Sequence, residues 1–276
     1  MRTAFVLGGG GLLGAVEVGM IRALLERDIR PDLIVGTSVG ALNGLLLASD
    51  PTLQVVERLT RMWIDVADSG MVYSDGPIKQ VTRVVRTGTH LHSDEPLREL
   101  LVDQFGDQTF ADLAVPFQCV AASIERAAEH WFSDGPLVPA VMASAAVPGL
   151  LPAAKVDGEH FLDGGIVNSI PVGRAAELGA TRIFVLQVGR IERPLTAPTK
   201  PWQVARVSFE IARRHRFARE MAALPDGVEA LVLPTGGTSR DDNPLGYRDF
   251  SAISGRIDAA YDASVAWLAE HLPENP

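Results

Sequence analysis

A disulfide within this chain is impossible, because Cys119 is its only cysteine, and a cysteine-rich metal site is excluded on the same count. The setting of Cys119, FQCVAAS, reads as a buried strand, which makes it a core residue. Long apolar runs are missing as well. Nothing approaches the roughly 20 uninterrupted apolar residues that a membrane-spanning helix needs, and the short apolar stretch at 42–48 carries Asn43. Arg2 followed by the apolar stretch 4–16 superficially resembles a secretory signal, but Glu17 and a block of glycines make a poor signal core, so no signal peptide is expected. A positive charge balance is absent too. The formal net charge of −9 argues against a general nucleic-acid binder. There is no internal repeat, and His90 and His92 have no carboxylate cluster at ligand-like spacing, so that His-x-His reads as a solvated loop rather than a metal site. These absences leave a cytoplasmic protein with peripheral membrane contact still open, and with no cofactor called for.

What is present is an alternation of apolar runs and amphipathic stretches across 276 residues, 47% of them hydrophobic. Strands are expected at 3–7, 32–35, 117–122, 129–132, 181–188 and 229–233. Helices are expected at 12–27, 39–48, 52–66, 77–85, 95–105, 137–145 and 252–272. Near-continuous apolar strands separated by helices imply a mainly parallel sheet covered on both faces, a three-layer α/β/α fold. The Pro- and Gly-bearing segments at 190–202 and 234–249 read as loops inside one domain spanning 1–276.

Two stretches carry chemistry. The first, FVLGGGGLLGAVEVG at 5–19, places Gly9, Gly11 and Gly14 in the G-x-G-x-x-G pattern of dinucleotide-binding loops. The same backbone could instead aim the amides of Gly10 and Gly11 at an oxyanion. The second runs from strand DLIV straight into Gly36-Thr37-Ser38-Val39-Gly40 and a helix. That is G-x-S-x-G in its strand–turn–helix context, where the glycines allow a tight turn with a nucleophilic serine at its tip. The plainer reading makes Ser38 a helix N-cap. Parallel neighbouring strands would bring both loops to one crevice. A dinucleotide loop also needs an acidic ribose ligand after the second strand, and Asp32, at the right distance in sequence, precedes that strand instead. A third segment, His160-Phe161-Leu162-Asp163-Gly164-Gly165, reads as an Asx turn or as the source of a base. None of the six histidines, including His130, His215 and His271, has a motif that marks it as that base.

The glycine loop, GTSVG and DGG together resemble the patatin-like phospholipases. ASAAVPGLLP at 143–152 and FLDGGIVNSIP at 161–171 resemble two further blocks of that family, in the family's order. The resemblance covers about 5–190 and implies a Ser–Asp dyad without a catalytic histidine. It makes Ser38 the nucleophile, Asp163 the base, and Gly9, Gly10 and Gly11 the oxyanion loop. Gly14, Gly36, Gly40, Gly164 and Gly165 support the turns. The implied activity is lipid or ester hydrolysis through an acyl-serine. Many members carry Arg or Lys where this chain has Leu13, which moves the expectation from phospholipids toward neutral lipids, short esters or thioesters. The rival readings are a dinucleotide-binding oxidoreductase and an acyl-binding protein of the same fold without turnover.

Beyond the motifs, residues 190–220 hold eight Lys/Arg against three Glu. At about 100° per residue, Val204, Val207, Ile211, Ala218 and Ala222 share one helical face, while Phe209 and Phe217 lie opposite among Arg206, Arg213 and Arg216. Basic residues mixed with aromatics suit an anionic membrane surface, so contact through 202–222 is expected. The segment 68–95 is a candidate lid.

Overall fold

The computed structural model describes residues 1–68, 89–189, 191, 194–237 and 253–273. The expected helix at 77–85 and most of the candidate lid lie outside them.

The chain opens with β1 (Thr3–Leu7) and, after a 3-10 turn at Gly11–Gly14, α1 (Ala15–Glu26). Then come β2 (Leu33–Thr37), α2 (Val39–Ser49), α3 (Gln54–Asp68) and α4 (Glu95–Phe105). A hairpin of β3 (Phe117–Ser123) and β4 (Ala128–Phe132) leads to α5 (Leu137–Ser144), β5 (Ala154–Val156) and β6 (Glu159–Asp163). The rest is α6 (Val172–Glu177), β7 (Arg182–Leu186), α7 (Pro201–Ala222), β8 (Glu229–Val232) and α8 (Ile253–His271).

The sheet is mixed. Its middle is parallel in the order β3-β2-β1-β7-β8, and β4, β5 and β6 add antiparallel pairings beside β3. The burial of β1 explains the three layers. Phe5 and Leu7 join a large core with α1, α2, α3 and α8, while Ala4 and Val6 join a second core with Val172, Ala175 and Phe217 from α6 and α7. Successive side chains of a strand point to opposite faces, so a run apolar at every position has to be covered on both. Cys119 is fully buried in β3, and burial pushes its thiol pKa up, as a core cysteine requires.

Three expectations need correction. The short strands β5 and β6 escape the apolar pattern because β5 and the first half of β6 are only partly buried. His92 does not lie in a solvated loop: it is buried, and the amides of Leu91 and His92 bond to the carbonyls of Gly149 and Leu150. The polarity of α7 is also the reverse of what the pattern suggests. Val204 and Ile211 stand 50% and 56% exposed, whereas Arg213 is 5% exposed and Phe217 packs into the second core. The inward face is chosen by polar partners rather than by hydropathy. The Arg213 guanidinium donates to Ser169 Oγ and the Val188 carbonyl, and the Glu220 carboxylate accepts from the Gly173 amide and Asn168 Nδ2. Arg216 pairs with Glu220 and Glu129, so it is not an unengaged membrane-facing cation either.

Candidate active site

Residues Leu33–Thr37 are all buried in β2, and the chain turns abruptly at Ser38 before α2 begins. Ser38 has φ 55° and ψ −121°, a conformation that costs a non-glycine residue on the order of 1–3 kcal/mol. The turn is tight enough that a Cβ on Gly40 would run into the Leu7 carbonyl, and one on Gly36 would meet the Gly40 carbonyl oxygen at 2.5 Å. Ser38 occupies the N-cap position but makes no capping bond with its side chain. Its hydroxyl donates instead to Asp163 Oδ2 at 2.5 Å. The N-cap reading of Ser38 therefore fails.

Strand β3 is the template that brings the pair together from 125 residues apart. Thr37 at the end of β2 lies in register with Val120, and Asp163 at the end of β6 lies in register with Ala121. Asp163 is also the cap of the 3-10 turn Gly164–Ile166, accepting the Gly165 amide on Oδ1 at 2.7 Å. The Asx turn and the serine contact are thus two uses of one carboxylate, one oxygen each. Burial raises the Asp163 pKa to about 6, against the partly offsetting bonds from Ser38 and Gly165. No imidazole bonds to either side chain among the described residues. His160 engages Glu125, His130 lies beside Arg126, and His271 bonds the Trp267 carbonyl.

The glycine loop lies against this pair. A Cβ on Gly9 would sit 3.4 Å from Ser38 Cβ and 3.3 Å from Ser169 Oγ. The Gly9 amide itself donates to the Ser169 carbonyl at 2.8 Å, so Gly9 shapes the loop and is not a donor toward a ligand. Gly10 and Gly11 have amides with no backbone acceptor among the described residues, and Gly11 takes the left-handed φ of 58°. Leu13 packs, partly buried, against the main core. Asp32, the residue with ribose-ligand spacing, accepts the Thr3 amide at the far end of the sheet.

Three contributors escaped the motif reading. Ser144, inside the ASAAVPGLLP block, accepts the Ser38 amide on its hydroxyl at 2.9 Å. Glu17, which reads in sequence as a mere break in an apolar run, is completely buried behind the glycine loop and bonds Asn43, whose amide also reaches the Gly14 carbonyl. Burial holds the Glu17 carboxyl well above the usual carboxylate range. Arg213 is the third, and no local signal marks it. Beside Ser38 opens a pocket whose walls include Leu42, Trp63, Val66, Leu97 and Leu151. Among the described residues its lining is apolar except for Ser38, so it suits a hydrocarbon chain better than a nucleotide.

A family model for patatin-like phospholipases matches residues 5–176. "Patatin-like phospholipase domain-containing protein 7" of Rattus norvegicus is 31% identical over 196 residues, 70% of this chain and 14% of that protein. "Lysophospholipase nte1" of Aspergillus terreus is 31% identical over 198 residues, 68% of this chain and 12% of that protein. The chain thus spans only a small part of the length of these relatives. Among solved structures, VipD from Legionella pneumophila superposes over 98% of this chain and 67% of its own, with a TM-score of 0.52 at 16% identity, a likeness of fold. With its glycine loop, serine turn and buried aspartate in one crevice, the chain belongs to the patatin-like phospholipase family.

Proposed function

We propose that the chain is a serine acyl hydrolase that cleaves carboxylic esters of lipids through an acyl-serine intermediate. The observation that carries this reading is the bond from Ser38 Oγ to Asp163 Oδ2, made in a buried crevice that opens into an apolar pocket. Ser38 Oγ attacks the ester carbonyl carbon while its proton passes to Asp163. The tetrahedral oxyanion accepts the amides of Gly10 and Gly11, which need no side-chain rearrangement to meet it. Collapse breaks the bond to the alcohol, which leaves with the proton from Asp163. Water then attacks the acyl-serine, giving its proton to Asp163. The second collapse releases the carboxylic acid and returns the proton to Ser38.

A carboxylate is a weak base in water, and its burial supports this role by raising its proton affinity toward neutrality. The apolar pocket is suited to the acyl chain, and with Leu13 in the loop no cation from that position meets a head group. Neutral or short esters fit this arrangement, and the lysophospholipids in the name of one relative are the contrasting substrates to test. Peripheral contact with lipid is proposed through the outward apolar side chains of α7, Val204 and Ile211.

Hydrolysis across a panel of acyl esters and lysophospholipids, with Ser38→Ala as control, tests the proposal. Turnover and fluorophosphonate labelling that both vanish in Ser38→Ala are expected. A chain that binds lipids but is neither labelled nor active would be a non-catalytic member of the fold, and the proposal would fall.

A further inference from the structure

The family model ends at residue 176, yet the wall behind the glycine loop is held from beyond it. Arg213 lies on α7, with its side chain 3% exposed. Its Nε donates to Ser169 Oγ at 3.1 Å and its Nη2 to the Val188 carbonyl at 2.7 Å, while Nη1 faces Glu210 at 3.5 Å. Ser169 and Val188 belong to different segments, one after the Gly164–Ile166 turn and one just past β7. Each touches the glycine loop. The Ser169 carbonyl takes the Gly9 amide, and Val188 packs so closely on Gly10 that a Cβ there would overlap its side chain.

We propose that Arg213 is a positioning residue for the hydrolysis, a clamp that ties Ser169 to Val188 and so fixes Gly9 and Gly10 at the distance from Ser38 at which the loop amides meet the oxyanion. A guanidinium suits this task because its planar fork can hold two acceptors at once, which an ammonium cannot do with the same geometry. Glu220, two turns further along the same helix face, anchors the neighbouring residues Asn168 and Gly173, so α7 braces the segment that follows Asp163 at several points. Arg213 also places a positive charge in a buried site behind the loop. Glu17, whose charge would oppose it, is held toward its neutral form by burial.

The inference rests on the hydrolase reading, and the experiment separates the two. Ser38 phosphonylation by a fluorophosphonate and hydrolysis of a p-nitrophenyl butyrate probe are measured for the parent, Arg213→Met, Arg213→Lys and Ser169→Ala, each normalised to titrated Ser38. Arg219→Met, on the outward face, serves as charge control. Arg213→Met is expected to lose about 100-fold in kcat and in labelling rate, the scale of a small misplacement in a site, with KM changed less than about threefold. Arg213→Lys is expected to recover about tenfold of that by bonding one of the two acceptors. A folded Arg213→Met with parental kcat per titrated serine overturns the clamp while leaving the hydrolase intact. If Arg213→Met does not fold, Ser169→Ala decides: about a tenfold loss in kcat at constant KM supports the clamp, and parental kcat refutes it. A parent that is never labelled refutes both.

Discussion

At Asp163 one carboxylate oxygen takes the Gly165 amide and the other the Ser38 hydroxyl, so the residue is both a turn cap and, in the proposed mechanism, the base. Its pKa of about 6 gives the reaction an acid limb: kcat/KM is expected to rise with pH through about 6, as the carboxylate ionises, and Asp163→Asn to lose at least about 1,000-fold. Each His→Ala variant should keep most of its activity, and a single inactive but folded one would contradict the dyad. The same shift sets a stability trend. Because the folded pKa lies above the ordinary aspartate value of 3.8, the stabilisation tied to the proton is complete below about 3.8 and is lost as pH rises through about 6. Urea midpoints should therefore show Asp163→Asn gaining on the parent across that window, by on the order of 3 kcal/mol if the whole shift is realised. Ser38 and Asp163 were legible in sequence because each sits in a short motif with its glycines. Ser144, Glu17 and Arg213 were not, since a buried polar residue is distinguished by partners that local sequence does not contain.

At the scale of elements, β1, α4 and α5 fell almost where hydrophobic periodicity puts them, because strong apolar faces leave one way to bury them. α7 is the instructive failure. Its apolar stripe, Val204 to Ala222, is the solvent side, because Arg213, Phe217 and Glu220 together anchor the opposite one. A helix follows its stripe only when nothing stronger competes, and buried charge-assisted hydrogen bonds do. This turns the membrane expectation around, from arginines to exposed aliphatic side chains. Val204→Asp combined with Ile211→Asp is expected to lower co-sedimentation with neutral phosphatidylcholine vesicles at least about fivefold, since apolar area drives such binding. Hydrolysis of a water-soluble ester should stay unchanged in that variant. Retained vesicle binding would remove α7 from the proposed contact.

For the whole molecule, the pocket beside Ser38 is assembled from α2, α3, α4 and residues 145–151, segments with no motif in common. Its apolar character argues for an acyl chain, and its depth should set chain length. Val66→Trp is expected to cut kcat/KM for a dodecanoyl ester about tenfold or more while sparing a butyryl ester, since filling apolar space removes the binding surface of each methylene beyond the obstruction. Equal losses on both esters would place the chain elsewhere.

The sequence by itself determined the layered α/β architecture and, through its resemblance to a family, pointed to the two side chains proposed to react. Apolar strands buried on both faces have few alternative folds, and the serine turn and the Asp-Gly-Gly turn are local geometries written in consecutive residues. Only the tertiary structure decided how those two are joined and held: β3 supplies the register that brings Thr37 and Asp163 side by side, and α7, beyond every motif, supplies the arginine behind the glycine loop. Those contacts link residues far apart in the chain, so they exist only once the sheet has set which ends meet.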